Sequence, residues 1–89
     1  MSNTLEQIEA RLTAALAPAS LHIDDDSAQH AGHVGARDGG GHYRVDIVSA
    51  AFAGKNTMAR HRLIYAALGD LMPRAIHALS IRASAPEEL

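Results

Sequence analysis

An amphipathic segment, Asn56–Met72, lies between two strand-like runs and constrains this chain more than any other feature. It reads NTMARHRLIYAALGDLM. Ile64, Leu68 and Leu71 recur at helical spacing, with Met58, Tyr65 and Met72 at the edges of the same stripe. Asn56 or Thr57 supplies a side-chain oxygen for the orphan N–H groups at the start. Gly69 marks fraying or tight packing near the end, and Pro73 stops the helix. Arg60 and Arg62 fall on the opposite face, with His61 near the boundary. In the preceding run, His42–Ser49, Tyr43, Val45 and Ile47 alternate with Arg44, Asp46 and Val48. In the following run, His77–Ala83, Leu79 and Ile81 alternate with Ser80 and Arg82. Both patterns have the period of a half-buried strand. Between the first run and the helix, Ala50–Lys55 reads as a turn, with Phe52 as an apolar plug and Gly54 at a special backbone angle.

Upstream, Leu5, Ile8, Leu12 and Leu16 recur three and four residues apart. They predict a helix over Leu5–Leu16, capped by Thr4 and stopped by Pro18. Leu21–Asp24 predicts a short strand, with Leu21 and Ile23 on one side and His22 and Asp24 on the other. The acidic run Asp24–Asp26 ends it as a solvated strand end, since the spacing of a calcium loop does not follow. Ser27–Gly41 is a long glycine-rich loop without the glycine spacing or the Lys-Ser/Thr end of a phosphate-binding loop. The order is therefore helix, strand, strand, helix, strand. Strands joined by a loop pair antiparallel, and a strand reached through a helix joins the same sheet. The expectation is a single α+β domain over residues 1–89: a three-stranded mixed sheet with both helices on one face and the other face partly open.

A chain of 89 residues makes one small domain, and its 47% apolar content suffices for a core. Aromatic residues are limited to Tyr43, Phe52 and Tyr65, so that core rests on Leu, Ile, Val and Ala. The absence of cysteine excludes a disulfide, a thiolate ligand and a thiol nucleophile from this chain, and fits a cytoplasmic location. Met1–Gln7 is polar and lacks the pattern of a secretory leader. No apolar run reaches membrane-spanning length. A net charge of −2 argues against strong non-specific nucleic-acid binding and leaves only a local basic patch, from Arg60, Arg62, Arg44 and Lys55. A solvated helix face explains those arginines equally well.

Six histidines in 89 residues are the main chemical signal. His30 and His33 lie in the glycine-rich loop, His42 at the strand entry and His77 at the start of the last strand. Imidazole is a common ligand for zinc, nickel and copper, and H-x-x-H spacing on a loop permits it. Hydrogen-bonded structural histidines fit the same pattern. His61, inside the helix, reads as a packing residue. The serines carry no motif of a nucleophile–base–acid triad, so catalysis is not expected.

Four stretches together resemble the BolA family: Ser27–His33 (SAQHAGH), His42–Lys55 (HYRVDIVSAAFAGK), Arg60–Tyr65 (RHRLIY) and Ile76–Ile81 (IHALSI). The resemblance runs from about Ile8 to Glu87. It implies an α-β-β-α-β core like the type II K-homology fold, and a non-enzymatic role. It implies a monothiol glutaredoxin as partner, with a [2Fe–2S] cluster shared between the glutaredoxin's cysteine, glutathione and histidine from this chain. The family's C-terminal ligand histidine corresponds to His77, and the second ligand to a loop histidine, His33 first and His30 as the alternate. Imidazole replaces thiolate at some iron–sulfur sites, so a cysteine-free chain can contribute to a cluster whose thiolates come from elsewhere. The isolated chain is expected to be monomeric and to hold no cluster tightly. The resemblance also implies an alternative, a DNA-binding transcriptional regulator contacting DNA through Arg60, Arg62, Lys55 and Arg44.

Overall fold

The computed structural model describes residues 4–25 and 41–89. Helix α1, Thr4–Leu16, buries Ile8, Leu12 and Leu16, the stripe expected of its spacing. Strand β1, Ser20–Asp25, pairs antiparallel with β2, Gly41–Val48, from Ser20 opposite Val48 to Asp25 opposite Tyr43. A 3-10 turn, Ala50–Phe52, then leads to helix α2, Thr57–Leu68. A short helix α3, Leu71–Arg74, precedes strand β3, Ile76–Ser84, which lies parallel to β2. A second 3-10 turn, Pro86–Glu88, follows. The sheet order is β1-β2-β3, so β2 is central and the sheet is mixed, as expected.

The core lies between the two long helices and one face of the sheet. Tyr43, Val45 and Ile47 of β2 meet Ile8 and Leu12 of α1 and Ile64 and Leu68 of α2, with Phe52 and Ile76 fully buried among them. Phe52 is the apolar plug, held by Ser49. The buried Ser49 hydroxyl donates to the Leu16 carbonyl (2.6 Å) and accepts from the Ala51 N–H (3.1 Å). That bond satisfies one of the orphan carbonyls at the end of α1 and ties it to the end of β2.

The central helix ends earlier than its apolar pattern suggests. Asn56 caps its start, accepting from the Ala59 N–H at 2.9 Å. Gly69, at φ +56° and ψ −127°, closes it four residues before Pro73. Pro73 sits instead inside α3, and Met72 before it is non-helical at φ −101° and ψ 125°, as the residue preceding a proline tends to be. Leu71 thus reaches the core from α3, while Met58 and Tyr65 turn outward, 64% and 42% exposed. Arg11 of α1 fastens this junction by donating to the Leu68 carbonyl and to Asp70 Oδ1 (2.9 Å). That hydrogen bond, with the Arg11 charge behind it, lowers the Asp70 carboxyl below its ordinary value.

The parallel ladder contains one irregularity. Gly41 is opposite Ile76, but His42 is opposite Ala78, so β3 carries one surplus residue, His77. Ile76 is buried, His77 and Ala78 are exposed, and Leu79 and Ile81 are again partly buried. In a regular strand, Ile76 and Leu79 would face opposite sides. The surplus residue lets both face the core, which is the usual effect of a bulge.

Candidate histidine site

The bulge places His77 beside His42, the second residue of β2. Their ring centroids are 5.1 Å apart, with the planes at 36°. His77 is exposed and His42 partly buried. Tyr43, Val45 and Ile47 alternate into the core, so His42 and Arg44 lie on the face turned away from the helices. Gly41 is buried against the Tyr43 ring, where an added Cβ would collide with it. The small residue therefore lets the aromatic ring fold back along its own strand just before the histidine.

His33 and His30, the expected loop ligands, lie outside the described residues. Among the described residues, no group of three or more His, Cys, Asp or Glu side chains is placed to hold a metal ion. His61 is partly buried and meets Tyr65 edge-on at 6.4 Å between centroids. Gly54 adopts φ +74°, the positive angle expected for its turn. His22 contacts Asp24 at 3.0 Å on β1, two residues along the same face.

The basic residues separate into different environments. Arg60 is 12% exposed at its side chain. Its Nε donates to the Lys55 carbonyl (2.8 Å) and its Nη1 to the Ala83 carbonyl (3.0 Å). It also forms a two-point ion pair with Glu88, Nη1 to Oε1 at 2.6 Å and Nη2 to Oε2. The Arg60 hydrogen bond, followed by one from the Ala85 N–H, lowers the Glu88 carboxyl to about 2. The bond to Glu88 in turn raises the Arg60 guanidinium above its ordinary value. Sequence reading missed this pair because its partners are 28 residues apart and no local pattern links them. Arg62 and Lys55 are exposed, with Arg62 reaching Met58 Sδ at 3.5 Å. Arg44 lies on the sheet face opposite the helices, so the four do not form one patch.

A mixed three-stranded sheet, with both long helices on one face and a histidine at a bulge in the last strand, defines a small α+β domain of the kind expected for an α-β-β-α-β chain. Residues 12–88 match the family described as BolA: BolA-like protein, and the chain belongs to that family. SufE-like protein 1 of Arabidopsis thaliana is 44% identical over 88 residues, which cover 93% of this chain and 24% of that protein. Protein BOLA1 of the same plant, described as chloroplastic, is 40% identical over 91 residues, covering 99% of this chain and 57% of the relative. The chain thus spans less than two thirds of the length of either. The DNA-binding transcriptional regulator BolA of Escherichia coli is 36% identical over 76 residues, covering 85% of this chain and 70% of that protein. Two solved structures bear out the fold. The BolA domain of Arabidopsis SufE1 superposes with a TM-score of 0.85 at 42% identity, covering 100% of this chain and 99% of that one. Arabidopsis BolA1 superposes with 0.86 at 39% identity, covering 100% and 98%.

Proposed function

We propose that this chain is a non-enzymatic cytoplasmic partner of a monothiol glutaredoxin, and that it donates imidazole to a shared [2Fe–2S] cluster. The observation that carries this reading is the exposed His77 ring, held on the open sheet face by a bulge, in a chain that has no cysteine. The donor set fits the group: an exposed imidazole can occupy one position of a cluster, while the thiolates come from the glutaredoxin and its glutathione. When bound, the cluster supplies one-electron redox chemistry and labile iron. On the chain's side, the bulge presents His77, and one loop histidine, His33 or His30, supplies the second imidazole.

The test is visible absorption and circular dichroism of the protein mixed with a cluster-loaded monothiol glutaredoxin. A new spectrum that His77→Ala and His33→Ala each weaken supports the reading. A spectrum indifferent to His77→Ala, His33→Ala and His30→Ala sinks it.

DNA binding is the second reading, favoured by the name of the E. coli relative and by the exposed cations Lys55 and Arg62 near the start of α2. Retardation of labelled duplex DNA that weakens with salt and on changing these two residues supports it.

A further inference from the structure

The outer edge of β1 carries an inference that depends on neither glutaredoxin nor DNA. We propose that this edge docks an extended segment of a partner protein, a strand with one bulky apolar side chain set between basic residues. Three observations support the surface.

The first is the edge itself. β1 pairs with β2, and no described strand lies on its other side. The backbone N–H and C=O groups along such an edge are a template for a further strand.

The second is shape. A cavity of about 210 Å³ lies between Leu5 and Glu9 of α1 and Leu21, His22 and Ile23 of β1. Successive strand residues point to opposite faces, so a cavity that touches all three strand residues reaches the outer edge of the strand. Leu5, Leu21 and Ile23 are only partly buried and give it an apolar floor. A cavity of about 150 Å³ holds a benzene ring, so this one has room for a leucine or phenylalanine side chain from an added strand.

The third is charge. Glu9 is exposed on the cavity wall, and neither Lys nor Arg lines the cavity. Every formally charged residue in positions 4–10 of α1 and in β1 is acidic: Glu6, Glu9, Asp24 and Asp25. This sign favours a partner with basic residues two positions either side of its apolar anchor, on the same face of the strand. It repels a phosphate backbone, so nucleic acid does not suit the groove. A second copy of this chain is disfavoured on the same ground, since pairing edge to edge would set one acidic wall against another.

An end-blocked peptide of sequence TKTFTKT, labelled with fluorescein and titrated with the whole chain, tests the surface by anisotropy. Saturable binding is expected, and the peptide TETFTET should bind at least tenfold more weakly. Two further versions of the basic peptide carry N-methyl groups, one on its lysines and phenylalanine, the other on its threonines. Only the version whose blocked N–H groups face β1 should lose binding, again at least tenfold. Amide NMR signals of Leu21, His22 and Ile23 should shift on binding. Glu9→Lys changes an exposed residue and should weaken binding at least tenfold, with far-UV circular dichroism confirming the fold. Absence of saturable binding would overturn the proposal, as would equal behaviour of the two N-methylated peptides or shifts confined to other elements. Unchanged affinity in a folded Glu9→Lys protein would overturn it equally, and the peptide comparisons decide the matter if that variant does not fold. Sedimentation showing two chains joined through β1 would assign the edge to a second copy instead. Because neither glutaredoxin nor DNA enters the titration, its outcome is separate from both readings above.

Discussion

Arg60 and Glu88 form a two-point ion pair that joins the middle of the sequence to its last turn. Arg60 donates from Nη1 and Nη2 to the two carboxylate oxygens, and also holds the Lys55 and Ala83 carbonyls. Glu88 in turn accepts from the Ala85 N–H at 2.9 Å. One guanidinium therefore ties together the approach to α2, the end of β3 and the final 3-10 turn. Arg60→Ala should lower the thermal midpoint more than Glu88→Ala, because it also strips two backbone carbonyls of their donor. Thermal melts of both variants against the parent chain check the order. The pH dependence follows from the depressed carboxyl, 4.5 ordinarily and about 2 here. A depressed acid stabilises the fold fully above its unfolded value and loses that contribution as pH falls through its folded value. The difference between parent and Glu88→Gln should thus be constant above about pH 5 and close between about pH 4.5 and 2.

The same geometry separates the arginines in a DNA-binding assay. Lys55→Ala and Arg62→Ala each remove an exposed cation, so each should reduce the slope of log affinity against log salt by about 0.9 if it meets a phosphate. Arg60→Ala should act through stability, with the slope unchanged. Fluorescence anisotropy at several salt concentrations distinguishes the two outcomes.

Ala17, just after α1, holds a positive φ of 43°. Its N–H donates to the Thr13 carbonyl at 3.1 Å, closing the helix. A side chain in the left-handed region costs roughly 1–2 kcal/mol, part of which glycine recovers. Ala17→Gly should therefore stabilise the protein by about 0.5–1 kcal/mol, read from the urea midpoint at unchanged slope.

Phe52 is fully buried under the sheet although it belongs to a turn of only three residues. Phe52→Ala should cost about 3–5 kcal/mol, a large part of the stability of so small a domain. Loss of cooperative urea unfolding is the expected readout.

The sequence patterns that proved legible are those with a period. Leu5, Ile8, Leu12 and Leu16 announce α1, and Tyr43, Val45 and Ile47 announce the buried face of β2, because burial selects apolar residues at fixed spacing. The end of α2 was less legible. Leu71 continues the helical spacing of Ile64 and Leu68, yet the backbone turns at Gly69 and returns Leu71 to the core through a separate turn. Apolar spacing records which residues are buried and leaves open whether one helix delivers them. The His77 bulge had no signal in periodicity, since it depends on the partner strand's register. His42 and His77 were both singled out in the sequence, at the entries of their strands, whereas their meeting at 5.1 Å between ring centroids follows only from the ladder and its bulge. Arg60 looked like a surface cation because helical phase alone does not reveal Glu88.

The surplus position in β3 also bears on how variants of this protein would behave in a cell. His77 is exposed and outside the core, so a His77→Ala protein should keep nearly the parent's stability and accumulate at the parent's level. A phenotype arising from it would then report lost chemistry, whereas one arising from Phe52 or Arg60 would be confounded with lost abundance. The bulge thus sets two kinds of position side by side in one strand: Ile76, Leu79 and Ile81 turn towards the core and answer to folding, while His77 stands exposed outside it.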